Sequence, residues 1–181
     1  MKEIVIKAYT FEELSEDVQE HLIDEYREAM ECNSDLEDYL KDRLKNLTGL
    51  SFDLAYSLNY CQGDGLRFTG RIEGEEINKL PFAHLVKDAE NTIINIFPKY
   101  VWHTSYKVDI DIDADTCYDS QDYYDDEWEK LQDAVEEWYN SIRDKLEEEG
   151  YKYIEEMESD EYIREILINC DDMYMEDGRR I

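Results

Sequence analysis

The chain has few basic residues, few histidines and no long apolar run, and each shortage argues against a class of function. Nineteen Lys and Arg stand against 48 Asp and Glu, a formal net charge of −29. Sequence-independent binding to DNA or RNA needs Lys and Arg to displace the counterions around phosphates, so this composition argues against it, and equally against an anionic membrane surface. The opening MKEIVIKAYTFEEL lacks the apolar core of a secretory leader, and no stretch is long enough to span a bilayer. The expectation is a cytoplasmic protein. Four cysteines (Cys32, Cys61, Cys117 and Cys170) form no CxxC pair, so they are read as free thiols in a reducing compartment, without zinc-site spacing. Three histidines (His21, His84 and His103) fall in different predicted elements, with no Ser or Cys arrangement beside them. There is no phosphate loop, dinucleotide fingerprint, GxSxG or HExxH. No catalytic residue, cofactor or metal ligand is expected.

What the chain does contain is folding material. Fifteen Tyr, five Phe and three Trp supply the apolar area that acidic disordered chains lack. No repeat, linker or low-complexity segment divides the sequence, so residues 1–181 are read as a single α+β domain. The expected architecture is an antiparallel sheet of three to four strands packed with several helices, one of them a long acidic C-terminal helix. Residues 2–9 read as a strand, and Thr10 with Glu13 as a capping box before a helix over about 15–31. A second capping box, Ser34 with Glu37, opens a helix that buries Leu36, Leu40, Leu44 and Leu47 and stops at Gly49. The period then changes to two: Phe52, Leu54, Tyr56, Leu58 and Tyr60 share one face. Phe68, Gly70 and Ile72 alternate in the same way, and the CQGDG between the two runs is a hairpin turn. A loop through Pro81 and a helix from Phe82 to Phe97 are predicted next. A strand follows, with Trp102, Thr104, Tyr106, Val108, Ile110 and Ile112 on one face and Asp109, Asp111 and Asp113 on the other. The long helix starts near Ser120 with the seam Trp128, Leu131, Val135, Trp138, Ile142 and Leu146, and Gly150 is read as a break or bend. A last helix begins near Ser159.

Residues 119–161 hold 18 Asp and Glu against four basic residues. Asp122, Asp126, Glu129, Asp133 and Glu136 recur four and three apart, which makes one row on the side of the helix away from the seam. Asp125 adjoins that row. Neighbours on such a row are about 5–6 Å apart, against one charge per ~3.4 Å of axis on a DNA strand. A rigid helix of this kind suits a channel lined by Lys and Arg. The plain alternative is a solvated polar face, but like charges at i,i+4 cost about 0.2–0.5 kcal/mol per pair, and few Lys are present to relieve them. The VDIDIDAD run does not make a calcium loop: counted from Asp109, position six is Ala114 and position twelve is Ser120, where Gly and Glu are needed. Asp64, at the tip of the hairpin, is either an outlying contact or turn chemistry.

Three stretches, YTFEELSEDVQEHLIDEYRE, YSLNYCQGDGLRFTG and DEYIREILINCDDMYMEDGRRI, together resemble a family of small phage and prophage proteins labelled antitoxin of a toxin–antitoxin stability system. The size and acidity also resemble, in type and not in motif, the type II-A anti-CRISPR proteins that inhibit Cas9. These resemblances imply a phage-encoded protein working in a bacterial host. It would bind a basic protein partner, Cas9 or its guide-RNA complex, at least partly as a nucleic-acid mimic. The residues expected to touch that partner are Asp64, Asp122, Asp125, Asp126, Glu129, Asp133 and Glu136. An antitoxin that neutralises a basic toxin is the alternative reading, and a small metal-dependent enzyme a third. The Trp-rich seam leaves a homodimer open.

Overall fold

A computed structural model describes residues 7–30, 33–99, 106–114 and 124–181. The architecture is α+β, with a four-stranded antiparallel sheet in the order β1-β2-β3-β4. The chain divides into two compact units, Met1–Leu36 with Lys152–Ile181, and Glu37–Tyr151.

The terminal unit is helical. Its core joins Phe11, Leu14, Leu22, Ile23, Ile163, Leu167 and Tyr174, contributed by α1 (Glu16–Ala29), α4 (Asp160–Asn169) and the segments flanking them. The Thr10–Glu13 capping box forms, with the Thr10 amide donating to Glu13 Oε2 at 2.9 Å, but it caps a 3-10 turn at Phe11–Glu13 and not α1 itself. Ser159 caps α4 by accepting from the Tyr162 amide at 3.3 Å. The predicted strand at residues 2–9 lies mostly outside the described residues. Within them only Tyr9 makes a bridge, exchanging two 2.9 Å backbone hydrogen bonds with Tyr174.

The central unit holds the sheet. The hairpin forms as predicted between β1 (Asp53–Ser57) and β2 (Gly65–Glu73), in a register that pairs Ser57 with Gly65 and Asp53 with Thr69. The alternation of apolar residues runs past the end of β1. Leu58 is buried, but Tyr60 has left the strand for the turn, with φ 54°. β2 changes partner along its length: residues 65–69 pair with β1, and Gly70–Glu73 pair with β3 (Thr92–Pro98). β4 (Val108–Ala114) completes the sheet, and Ile72, Ile94 and Ile112 line up across three strands. Gly70 is required by packing, because a Cβ there meets Phe52 Cδ1 at 2.8 Å. The Ser34 capping box falls where side chains are outside the described set; α2 (Asn33–Thr48) buries Leu40 and Leu44 and ends before Gly49 at φ 70°.

Two expectations are corrected. The segment 82–97 is not a helix. A 3-10 turn at Ala83–Leu85 is followed by a turn in which Asp88 accepts from the Asn91 amide (3.3 Å) and side chain (2.8 Å), and then by β3. The run TIINIF is mostly β-branched, and Thr92, Ile94 and Ile96 all point into the core, so period-two burial prevails over the helical reading. Gly150 does not break the long helix either, since α3 runs from Tyr124 to Met157. A Cβ at Gly150 meets Leu58 Cδ1 at 2.5 Å and Leu40 Cδ2 at 3.3 Å, so the glycine permits close packing and does not end the helix.

Candidate functional site

The candidate site is the exposed side of α3, and its position follows from what the other side buries. Leu131, Val135, Trp138, Tyr139 and Leu146 are buried, while Trp128 and Ile142 are half-buried. Trp138 stands among Phe52, Phe68 and Phe82, with ring centroids 6.4, 6.0 and 5.6 Å away. Tyr139 makes a more specific tie. Its hydroxyl accepts from the Phe68 amide and donates to the Phe68 carbonyl, both at 3.3 Å. Phe68 lies in the half of β2 that β3 does not reach, so the phenol takes the place of a neighbouring strand and satisfies two buried backbone groups. Burial pushes this phenol up to about 12, even though the Phe68 contact favours ionisation. With α3 fixed about its axis in this way, its polar face is presented in one orientation.

On that face Asp126, Glu129, Asp133 and Glu136 are all exposed. Asp122 lies outside the described residues, and Asp125 is placed on α3 with its side chain outside the described set. Asp126, Glu129 and Asp133 make no ion pair among the described residues. Among the described residues Glu136 accepts only from the neutral amide of Gln132, at 3.3 Å. Three other carboxylates of the helix are matched: Glu127 with Lys87, Asp144 with Arg143 at 2.6 Å, and Glu149 with Arg43 through two hydrogen bonds of 2.8 and 2.7 Å. Lys130 stands beside Asp126 and Asp133 on the same side of the helix, and so dilutes the row at one point. Glu136 follows buried Val135 and therefore lies at the shoulder of the seam. There it lines a groove of about 410 Å³ against β4.

Asp64 is placed apart from this row and is fully engaged. It accepts from Ser57 Oγ (3.0 Å), the Asn59 amide (2.7 Å), the Cys61 amide (3.0 Å), Cys61 Sγ (3.1 Å) and the Tyr151 hydroxyl (3.0 Å). Burial works against its ionisation, but the Cys61, Tyr151 and Ser57 hydrogen bonds outweigh it and hold the carboxyl well below its ordinary value of 3.8. The same contact raises the Cys61 thiol, through the Asp64 hydrogen bond first and burial second. Tyr151 is pushed up to about 12 by burial and by the Asp64 bond. The structure therefore places Asp64 as a turn-locking group that ties the hairpin to α3. The sequence could have hinted at this, since an Asp beside a tight turn commonly binds nearby backbone amides; nothing in it pointed to Tyr151.

The aspartates of β4 split. Asp109 pairs with Lys99 at 2.7 Å and raises that amine, while Asp111 and Asp113 are exposed. Among the described residues, no group of three or more His, Cys, Asp or Glu side chains is placed to hold a metal ion. No described helix is long and apolar enough to cross a membrane. His21 lines a separate cavity of about 750 Å³ in the terminal unit, and His84 Nδ1 lies 3.1 Å from the Pro81 carbonyl.

Fold and surface together define an α+β protein that presents one acidic helix face. No protein-family model matches the chain, and no curated protein or solved structure matches it.

Proposed function

We propose that the chain is a phage-encoded inhibitor that occupies a basic nucleic-acid-binding surface of a host defence nuclease. It acts at least partly as a nucleic-acid mimic, and Cas9 or its guide-RNA complex is the first target to test. One observation carries the reading: exposed carboxylates that make no ion pair among the described residues stand in a row on a helix whose opposite side is buried in the core. From Asp126 to Glu136 the helix rises about 15 Å, giving roughly one charge per 5 Å. One strand of DNA carries a charge per ~3.4 Å. The row thus reaches about two thirds of that linear density, and the mimic does not have to unstack, bend or reorganise. Cas9 holds its guide heteroduplex in a positively charged channel, and the net charge of −29 would speed encounter with such a surface by electrostatic steering. The choice of Cas9 rests on the resemblance in type to its known inhibitors; the choice of face rests on the geometry.

The test is a cleavage and guide-complex binding assay with the triple variant Asp126→Lys, Glu129→Lys, Asp133→Lys. Inhibition is expected from the parent chain and not from the variant, with the circular-dichroism spectrum of the parent retained. Undiminished inhibition by the variant removes this face, and inhibition indifferent to added salt removes mimicry, because exposed charge contacts are screened.

A further inference from the structure

The groove at the end of the acidic row has a chemistry of its own. It lies between β4 and α3 and is lined by Lys99, Asp109, Ile110, Gln132, Glu136 and Asn140, with Val108 beside them. It already holds one cation, the Lys99 ammonium, matched to Asp109 at 2.7 Å. Among the described residues Glu136 makes no ion pair, and a neutral amide donates to it. The described lining therefore carries one negative charge in excess. Around that charge the side-chain carbonyls of Gln132 and Asn140 can accept, and half-exposed Val108 and Ile110 supply an apolar wall.

We infer that this groove is the seat for one arginine side chain of the basic partner, and that it prefers arginine to lysine. The inference deepens the reading of the acidic face as a basic-partner site and rests on it. A guanidinium has five donors in a planar fork and a weakly hydrated face. Glu136 can take two of those donors side by side, the amide carbonyls can take others, and the aliphatic stem lies along Val108 and Ile110. A lysine ammonium is a compact, strongly hydrated point charge that satisfies Glu136 and leaves the amide acceptors unused. The exposed carboxylates of Asp126, Glu129 and Asp133 have no such walls. They attract cations of either kind, whereas the groove discriminates.

The experiment is an NMR titration of the intact chain with two probes of equal charge, Nα-acetyl-arginine amide and Nα-acetyl-lysine amide. The arginine probe is expected to move the Ile110 methyl and the Gln132 and Asn140 side-chain amide signals saturably, with lysine clearly weaker. Glu136→Gln should weaken the arginine response about two- to fivefold, the range for an exposed ion pair. Asn140→Leu, which keeps the charge, should narrow the gap between the two probes. Equal response to both probes, or shifts spread evenly over Asp126, Glu129 and Asp133, overturns the inference. Failure here is distinct from failure of the inhibitor reading. A groove that selects arginine in a chain without effect on Cas9 removes the target and keeps the seat. Cas9 inhibition by a chain with no arginine preference does the reverse.

Discussion

Asp64 and Asp133 are the same residue type on the same strongly negative chain, yet the fold uses them in opposite ways. Asp64 accepts five hydrogen bonds from the end of β1, the turn after it and α3, which leaves little capacity for anything arriving from outside. Asp133 stands exposed on α3 with no ion pair among the described residues. A carboxylate held by several donors contributes to stability and loses freedom to bind. One held by none makes no such contribution and, beside like charges, carries a small cost. Net charge by itself therefore says little about where an acidic protein works. The informative quantity is which carboxylates the fold has left unmatched.

The contrast can be broken most forcefully from beneath. Trp138→Ala empties the aromatic pocket under α3 and is expected to cost about 3–5 kcal/mol, read as a drop in the denaturant midpoint, and to remove the acidic face along with the helix's fixed orientation. Tyr139→Phe keeps the ring and deletes the hydroxyl that serves Phe68, so a loss of about 1–3 kcal/mol is expected from the unpaired backbone groups. The same variant tests the pH behaviour. The folded phenol sits at about 12 against an ordinary 10.0, so its share of stability is complete below pH 10 and is lost as pH rises toward 12. Alkaline unfolding should be flatter in Tyr139→Phe, and an absorbance titration should lose one late-ionising tyrosine.

Asp64→Asn sharpens the comparison from the engaged side. It should lower thermal stability at neutral pH, by less than either core variant. Because the folded carboxyl is held below 3.8, its contribution is present above that value and disappears as pH falls through the lower folded one. The gap between parent and Asp64→Asn should therefore close in acid. A gap that stays constant down to acid unfolding would contradict the turn-locking role. The smallest stability effect is expected from the row: Asp126→Lys with Glu129→Lys and Asp133→Lys should shift stability by no more than about 0.5 kcal/mol. If that triple variant unfolds the chain, the row is structural, and the contrast with Asp64 collapses.

Much of this was readable in the sequence because it depends on period and local chemistry. The hairpin, the seam of α3, the start of the last helix near Ser159 and the exposed side of the acidic row are legible from local pattern, since a helix that buries Leu131, Val135 and Trp138 must turn Asp126 and Asp133 outward. The failures have a common cause. Residues 82–97 satisfied a helical template loosely and a period-two template better, and burial against the neighbouring strands decided between them. Gly150 carries no mark of what it faces, so a packing glycine and a helix-breaking one read alike until Leu58 is in place.

An acidic, aromatic-rich α+β chain with one long charged helix was thus determined by the sequence alone, because composition and periodicity act along the chain. The tertiary structure decided which carboxylates are matched, because matching depends on residues far apart in the chain arriving within hydrogen-bond reach. Tyr151 lies 87 positions from Asp64, and Arg43 lies 106 from Glu149. It also decided that Glu136 faces a groove walled by β4 while Asp126 and Asp133 face open solvent, since only the docking of helix on sheet can give one member of a regular row a different neighbour.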